Sequence, residues 1–175
     1  QPNGILVGGA GDDLLVGLSG NNTFIGGTGN DTMVAGGGND TYLFSQGDGK
    51  DLIVETGGTD HIQFDASVTP ASVTYIQSGN DLIIDYGTHG DSVTVSGYFN
   101  GTAGQVESVS FSDGTVQDAS FITSHLSTGL VLTGTDGVDT LTGLGGNDTI
   151  TGGANNDTLI GGAGNDTYLF SQGDG

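Results

Sequence analysis

Gly8 to Leu43 reads GGAGDDLLV GLSGNNTFI GGTGNDTMV AGGGNDTYL, one nine-residue phrase stated four times. Gly134 to Leu169 reads GTDGVDTLT GLGGNDTIT GGANNDTLI GGAGNDTYL and states it four times more. Gly recurs at the first, second and fourth places, Asp or Asn at the sixth and an apolar residue at the eighth. A fixed period of this kind marks a solenoid, whose repeats bury their apolar side chains only by stacking on one another.

Backbone chemistry assigns a task to each place. The glycines permit the positive φ and close chain approach that a tight turn requires. The last three residues alternate polar, apolar, polar, a short strand with one inward side chain. Those side chains are Leu15, Phe24, Met33 and Tyr42, then Leu141, Ile150, Leu159 and Tyr168. One core residue per nine does not offset the ordering entropy of a glycine-rich backbone, about 1–2 kcal/mol per residue. Something besides burial must hold the turns.

The sixth place offers it: Asp13, Asn22, Asp31 and Asp40, then Asp139, Asp148, Asp157 and Asp166. A coil of turn, strand, turn, strand completes a rung in two nonamers, so each motif stacks on the next but one and Asp13 faces Asp31. Carboxylates stacked at the strand spacing of about 4.8 Å repel unless a cation lies between them. Hard oxygen donors without sulfur or imidazole suit calcium. Carbonyls of the turn glycines Gly9, Gly11, Gly20, Gly27, Gly29, Gly36, Gly38, Gly146, Gly153, Gly162 and Gly164 are the expected remaining ligands. The plain alternative for these Asp residues is an Asx turn without metal.

The two runs resemble the RTX (repeats-in-toxin) family of secreted bacterial proteins, with its GGxGxDxUx calcium-binding repeats. The resemblance implies an all-β fold of parallel β-roll blocks, with calcium held at the sixth-place Asp residues. It also implies export by a type I secretion machinery. Departures are local: Asn22 for Asp, Asn155 for a fourth-place Gly, and Leu18, Thr135 and Leu144 for second-place Gly. Asn22 brings an oxygen without charge, so its edge is expected to bind calcium more weakly.

After an insertion of Phe44 and Ser45, QGDGKDLIV from Gln46 keeps Asp51 and Ile53 in place, and GGTDHIQ from Gly57 reads as a shortened copy with Asp60 and Ile62. Asp31 is then expected to face Asp51, and Asp40 to face Asp60. NDTYLFSQGDG recurs from Asn39 and from Asn165, an offset of 126 residues, so the chain reads as one long period and the opening of another. The expected division is a β-roll block over 1–64, a β-rich cap and spacer over 65–133, and a second block over 134–175, truncated at its end. In the middle stretch, Tyr75, Ile76, Leu82, Ile84, Val93, Val95, Phe99, Val109 and Phe111 are the expected core. SGND and SDG read as turns, and Asp118 as the cap of a short helix.

With 21 acidic residues, one basic residue (Lys50), 36 glycines and a formal charge of −20, the compact chain repels itself. Such acidity argues against nucleic acid, whose phosphates call for Lys and Arg. It also argues against direct adhesion to anionic lipid unless calcium bridges the two. The absence of cysteine excludes disulfides, and no apolar run is long enough for insertion into a membrane. His61, His89 and His125 are scattered, and no GxSxG elbow or EF-hand loop is present. No catalytic residue is therefore assigned. The Asn-x-Thr sequons at Asn21, Asn30, Asn39, Asn147, Asn156 and Asn165 read as by-products of the repeat. Asp12 and Asp136 read as solvated or turn residues.

The expected function is a calcium-binding module that folds on meeting calcium outside the cell. It would serve as folding, secretion and structural extender element of a large repetitive adhesin or toxin, its partners being calcium ions and adjacent repeats. The alternative is a target-binding accessory module for a polysaccharide or host surface.

Overall fold

The computed structural model describes residues 3–87, 90–127, 129–143, 146–162 and 165–171. The elements are strands β1 (Ile5–Ala10), β2 (Leu14–Val16), β3 (Thr23–Thr28), β4 (Thr32–Gly36), β5 (Thr41–Phe44), β6 (Lys50–Glu55), β7 (His61–Phe64), β8 (Thr74–Ser78), β9 (Asp81–Asp85), β10 (Ser92–Val95), β11 (Ser108–Ser110) and β12 (Val116–Asp118), then helix α1 (Ala119–Ser124). They continue with β13 (Val131–Thr133), β14 (Thr140–Thr142), β15 (Thr149–Thr151), β16 (Thr158–Ile160) and β17 (Thr167–Leu169). Two compact units result: Gln1–Tyr75 with Asn80–His125, and Ile76–Gly79 with Leu126–Gly175.

In the first unit the nonamers alternate between two sheets. One runs β1-β3-β5-β7-β11-β12, the other continues β2-β4-β6-β10-β9. Parallel partners lie 18 residues apart, as Thr23 opposite Thr41 and Leu15 opposite Met33, so each motif does stack on the next but one. Past the Phe44–Ser45 insertion the offset becomes 20, with Thr32 opposite Leu52 and Thr41 opposite His61. His61 therefore follows Leu52 by one nonamer, which corrects the reading of a shortened copy from Gly57. ETGGTDHIQ is a full repeat with Glu55 at its first place.

Alternation along each strand sends the eighth-place side chains inward. Leu15, Met33, Ile53 and Val95 are buried from one sheet, and Phe24, Tyr42, Ile62 and Val109 from the other. The rings of Phe24 and Tyr42 stack at 5.1 Å between centroids and 16° between planes.

The middle stretch lengthens both sheets. β10 adds to β6 and β11 to β7 in parallel. β9 and β12 then pair antiparallel with them and end the solenoid pattern. A cluster of Phe44, Phe64, Tyr86 and Phe111 packs beneath this closure. The expected core residues are buried except Phe99, which is half-exposed. The turn at Gly97 (φ 70°) reverses the chain there, and Tyr98 takes the core position instead. Asp118 caps α1 by accepting the Phe121 N–H at 2.8 Å.

In the second unit β13-β15-β17 and β14-β16 repeat the 18-residue parallel register. Ile150 is fully buried, whereas Tyr168 is 40% exposed, so this shorter stack excludes less water. Among the described residues no helix is long and apolar enough to cross a membrane.

Candidate metal centres

The sixth-place carboxylates form a ladder that divides the work of their two oxygens. Asp31 Oδ1 accepts the Asp13 N–H at 2.8 Å, and Asp51 Oδ1 accepts the Asp31 N–H at 2.8 Å. On the other edge Asp40 Oδ1 accepts from Asn22 N at 2.6 Å, and Asp60 Oδ1 from Asp40 N at 2.7 Å. In the second unit Asp148, Asp157 and Asp166 accept from Leu130, Asp139 and Asp148 at 2.6–3.0 Å. The second oxygen is different. Oδ2 of Asp13, Asp31, Asp40, Asp51, Asp60 and Asp148 is buried without a hydrogen-bond partner. A desolvated anionic oxygen with no donor is strongly unfavourable, and a cation is what such a row of hard oxygens accommodates.

Three glycine places shape these pockets. At the first, a Cβ on Gly8 would stand 2.7 Å from Asp13 Oδ2 and on Gly152 2.5 Å from Asp157 Oδ2, so its role is close approach and not φ. At the second and fourth, Gly9, Gly11, Gly20, Gly27, Gly29, Gly36, Gly38, Gly146, Gly153 and Gly162 have φ between 85° and 138°. The replacements Leu18 (φ 69°) and Asn155 (φ 75°) are held in the same left-handed region. Gly164 and Leu144, like His89, lie outside the described residues.

Two departures from the repeat fill the pocket with protein. Asn22 Oδ1 accepts the Gly4 N–H at 3.1 Å, while its Nδ2 donates to the Gly20 carbonyl at 2.6 Å. The amide thus supplies the positive end that a carboxylate lacks. Asp139 Oδ2 accepts from Thr135 N at 2.7 Å and Thr135 Oγ1 at 2.9 Å, so the threonine at a second-place glycine position satisfies it. Asp157 and Asp166 are half-buried.

Beside the acidic ladder runs another that sequence reasoning treated as incidental. Fifth-place side chains accept from the backbone of the motif two further on: Asp12 Oδ1 from Asn30 N at 2.8 Å, Asn21 Oδ1 from Asn39 N at 2.9 Å, and Asn147 Oδ1 from Asn165 N at 2.8 Å. Lys50 N and Thr59 N donate likewise to Asn30 and Asn39. Its polarity is opposite to the sixth-place ladder. Recurrence of Asn at the fifth place was the signal for it.

One cluster exceeds the repeat pattern. Asp40, Glu55 and Asp60, all buried, each present an oxygen within 4.8 Å of the others. Glu55 sits on the inward face of β6 with Asp51 and Ile53; Tyr42 Oη donates to its Oε1, and Thr56 N to its Oε2 at 3.1 Å. Burial raises the pKa of Glu55 and of Asp60; the charges of Asp60 and Asp40 add to it at Glu55, and those of Asp40 and Glu107 at Asp60. Asp51 is pushed up to about 7 by burial, against the Asp31 N–H bond and reinforced by the charges of Asp31, Asp48 and Asp91. Glu107 Oε2 accepts the Asp60 N–H at 2.5 Å and ends that edge with a carboxylate from outside the repeats.

His61 and His125 take ordinary places. His61 Nε2 lies 3.2 Å from Thr41 Oγ1, and the His125 ring stacks on Phe121 at 3.8 Å.

Comparison with known proteins places these elements in a family. The RTX calcium-binding nonapeptide repeat (4 copies) matches residues 7–42 and 133–168, and the haemolysin-type calcium binding protein related domain matches residues 81–120. The iron-regulated protein FrpA of Neisseria meningitidis serogroup C is 36% identical over 107 residues, 57% of this chain. The chain spans 9% of that relative's length. The extracellular lipase LipA from Serratia marcescens aligns over 97% of this chain and 29% of its own, at 22% identity and a TM-score of 0.37. With both nonamer blocks matched and the haemolysin-related domain between them, the chain belongs to the RTX haemolysin-type calcium-binding repeat family.

Proposed function

We propose that this chain is a calcium-dependent folding module that acts outside the cell as a stiffening element of a longer repetitive protein. The observation that carries this reading is the row of buried, unpartnered Oδ2 atoms at Asp13, Asp31, Asp40, Asp51, Asp60 and Asp148. Calcium would be held there by these carboxylates together with turn carbonyls, supplying charge neutralisation between rungs. The chain's own residues do the rest. Oδ1 of each Asp fixes the carboxylate to the neighbouring rung, first-place glycines leave room for Oδ2, and the eighth-place side chains form the dry interior.

A charge of −20 on a chain with 36 glycines disfavours the compact state without cations. Binding to the folded state alone adds about RT ln(1 + [L]/Kd) per site, so several sites contribute a few kcal/mol, enough to switch a marginal fold. Low cytosolic and millimolar external calcium would then separate an export-competent chain from a folded one, in keeping with type I secretion. In this reading the stretch 65–133 is the cap and spacer between rolls 1–64 and 134–175, the module performs no catalysis, and the 126-residue iteration serves extension of an adhesin or toxin.

A far-UV circular dichroism titration with calcium, started in chelator and run against magnesium, tests it. The expected result is a cooperative gain of β signal near millimolar calcium that magnesium does not produce. A full β spectrum in chelator overturns the proposal.

A further inference from the structure

We propose that Asp40, Glu55 and Asp60 form a discrete calcium site in which Glu55 is a direct ligand, and that this site takes up the first ion; the inference rests on the calcium reading above. In the other motifs the first place is glycine, Ala35 or the uncharged Gln46, so no carboxylate stands there beside the sixth-place Oδ2. In the motif Glu55–Gln63 a carboxylate stands at that place, five residues before Asp60, as Gly8 stands before Asp13. The register of β4 against β6 shifts between Val34 and Gly36, which sets Glu55 opposite Gly36. The side chain is thereby accommodated where a regular rung would have none.

Independent of the clustering itself, Oδ2 of Asp40 and of Asp60 are buried and unpartnered, and both residues are wholly inaccessible. They are therefore aimed at a space into which Glu55 also reaches. Three carboxylates that close together, without a basic side chain among the 175 residues except exposed Lys50, make a site for a hard cation. In the folded chain protein atoms hold its side chains in place. Glu55 is fixed through Tyr42 Oη and Thr56 N, Asp60 Oδ1 through Asp40 N, and the Asp60 backbone through Glu107. Calcium affinity rises with the number of charged ligands and the rigidity of the cage. The stacking of Asp40 on Asp60 brings two carboxylates, and Glu55 adds a third.

The test compares the full chain with Glu55→Gln, which keeps the shape and can still accept from Tyr42. Isothermal titration with calcium should show one ion taken up ahead of the rest in the parent chain and that early ion missing in E55Q. The calcium midpoint of the β signal should rise about threefold to tenfold. An unchanged or lower midpoint overturns the proposal, because with no ion at the site the loss of one of three crowded charges favours the fold. Should E55Q fail to reach the parent spectrum at saturating calcium, Glu55→Ala, which installs the residue already tolerated at Ala35, must show the same loss. A parent chain that takes up no calcium refutes the calcium reading and this site with it. A parent that folds with calcium while the Glu55 variants match it refutes this site only.

Discussion

Asn22 Nδ2 donates to the Gly20 carbonyl at 2.6 Å, closing within one motif the gap that the motifs of Asp13, Asp31, Asp40, Asp51, Asp60 and Asp148 leave between an unpartnered Oδ2 and its turn. The protein thus carries its own isosteric comparison. Where the sixth residue is an amide, the turn is complete in protein atoms. Where it is a carboxylate, as at Asp31 or Asp40, Oδ2 is left without a donor.

Exchanging the two chemistries should exchange the metal requirement. Asn22→Asp is expected to add one bound calcium by isothermal titration and to raise the calcium needed for folding. Asp31→Asn is expected to remove one ion and lower that requirement, since the amide can reproduce the Asn22 arrangement. Asp31→Ala, which offers neither, should raise the folding midpoint and cost about 1–3 kcal/mol through the orphaned Asp13 N–H. Equal stoichiometry in N22D and D31N would sink the argument.

Much of this was legible in the residues. The nine-residue period fixed the stacking rule, and the register of Thr23 on Thr41 follows it. Asp31 opposite Asp51 was foreseen because the insertion of two residues shifts a solenoid without altering its phase. What escaped were residues whose role depends on a neighbour one rung away. Glu55 is missed when a motif is read from Gly57, although Asp51 to Asp60 and Ile53 to Ile62 each span nine residues and strand pairing confirms the first-place position. Thr135 read as a lost glycine, while its hydroxyl and N–H occupy the oxygen of Asp139. The side of the Asn ladder on which each amide bonds is set by turn geometry, which periodicity does not encode.

The fifth-place ladder should stabilise the roll without touching the metal. Asn39 Oδ1 accepts from Thr59 N at 3.0 Å, so Asn39→Ala is expected to destabilise the calcium-loaded chain by about 1 kcal/mol. The number of calcium ions bound should stay as in the parent. Thermal melts at saturating calcium and calorimetric titration together check both halves, and a lost ion would show that the two ladders are not separate.

Leu18 is a non-glycine residue at φ 69° and 69% exposed, so it carries left-handed strain without compensating burial. Leu18→Gly is expected to raise stability by up to about 1 kcal/mol, the relief of strain exceeding the added freedom of the unfolded chain. Gly29→Ala should act in the opposite sense. Its φ is 137°, and a Cβ there would run into the Gly11 carbonyl of the rung below. A loss of at least about 2 kcal/mol is expected in denaturant unfolding with calcium present.

Protons and calcium should act as rivals for the same oxygens. Burial raises Asp51 to about 7, and raises Glu55, Asp60 and Asp48 in the same direction, with Asp31, Asp40, Asp91 and Glu107 as the facing charges. A carboxyl whose pKa is higher in the folded than in the unfolded chain binds more protons when folded. Its contribution is present below the ordinary carboxylate value and is lost as pH climbs through the raised one. In chelator, β structure is therefore expected to increase as pH falls from about 7 toward about 4. With calcium present the dependence should invert, the calcium midpoint rising as pH falls through that window because the ion must displace protons. Circular dichroism over a grid of pH and calcium reads both trends. A midpoint independent of pH between about 5 and 8 would mean that the buried carboxylates are not where calcium binds.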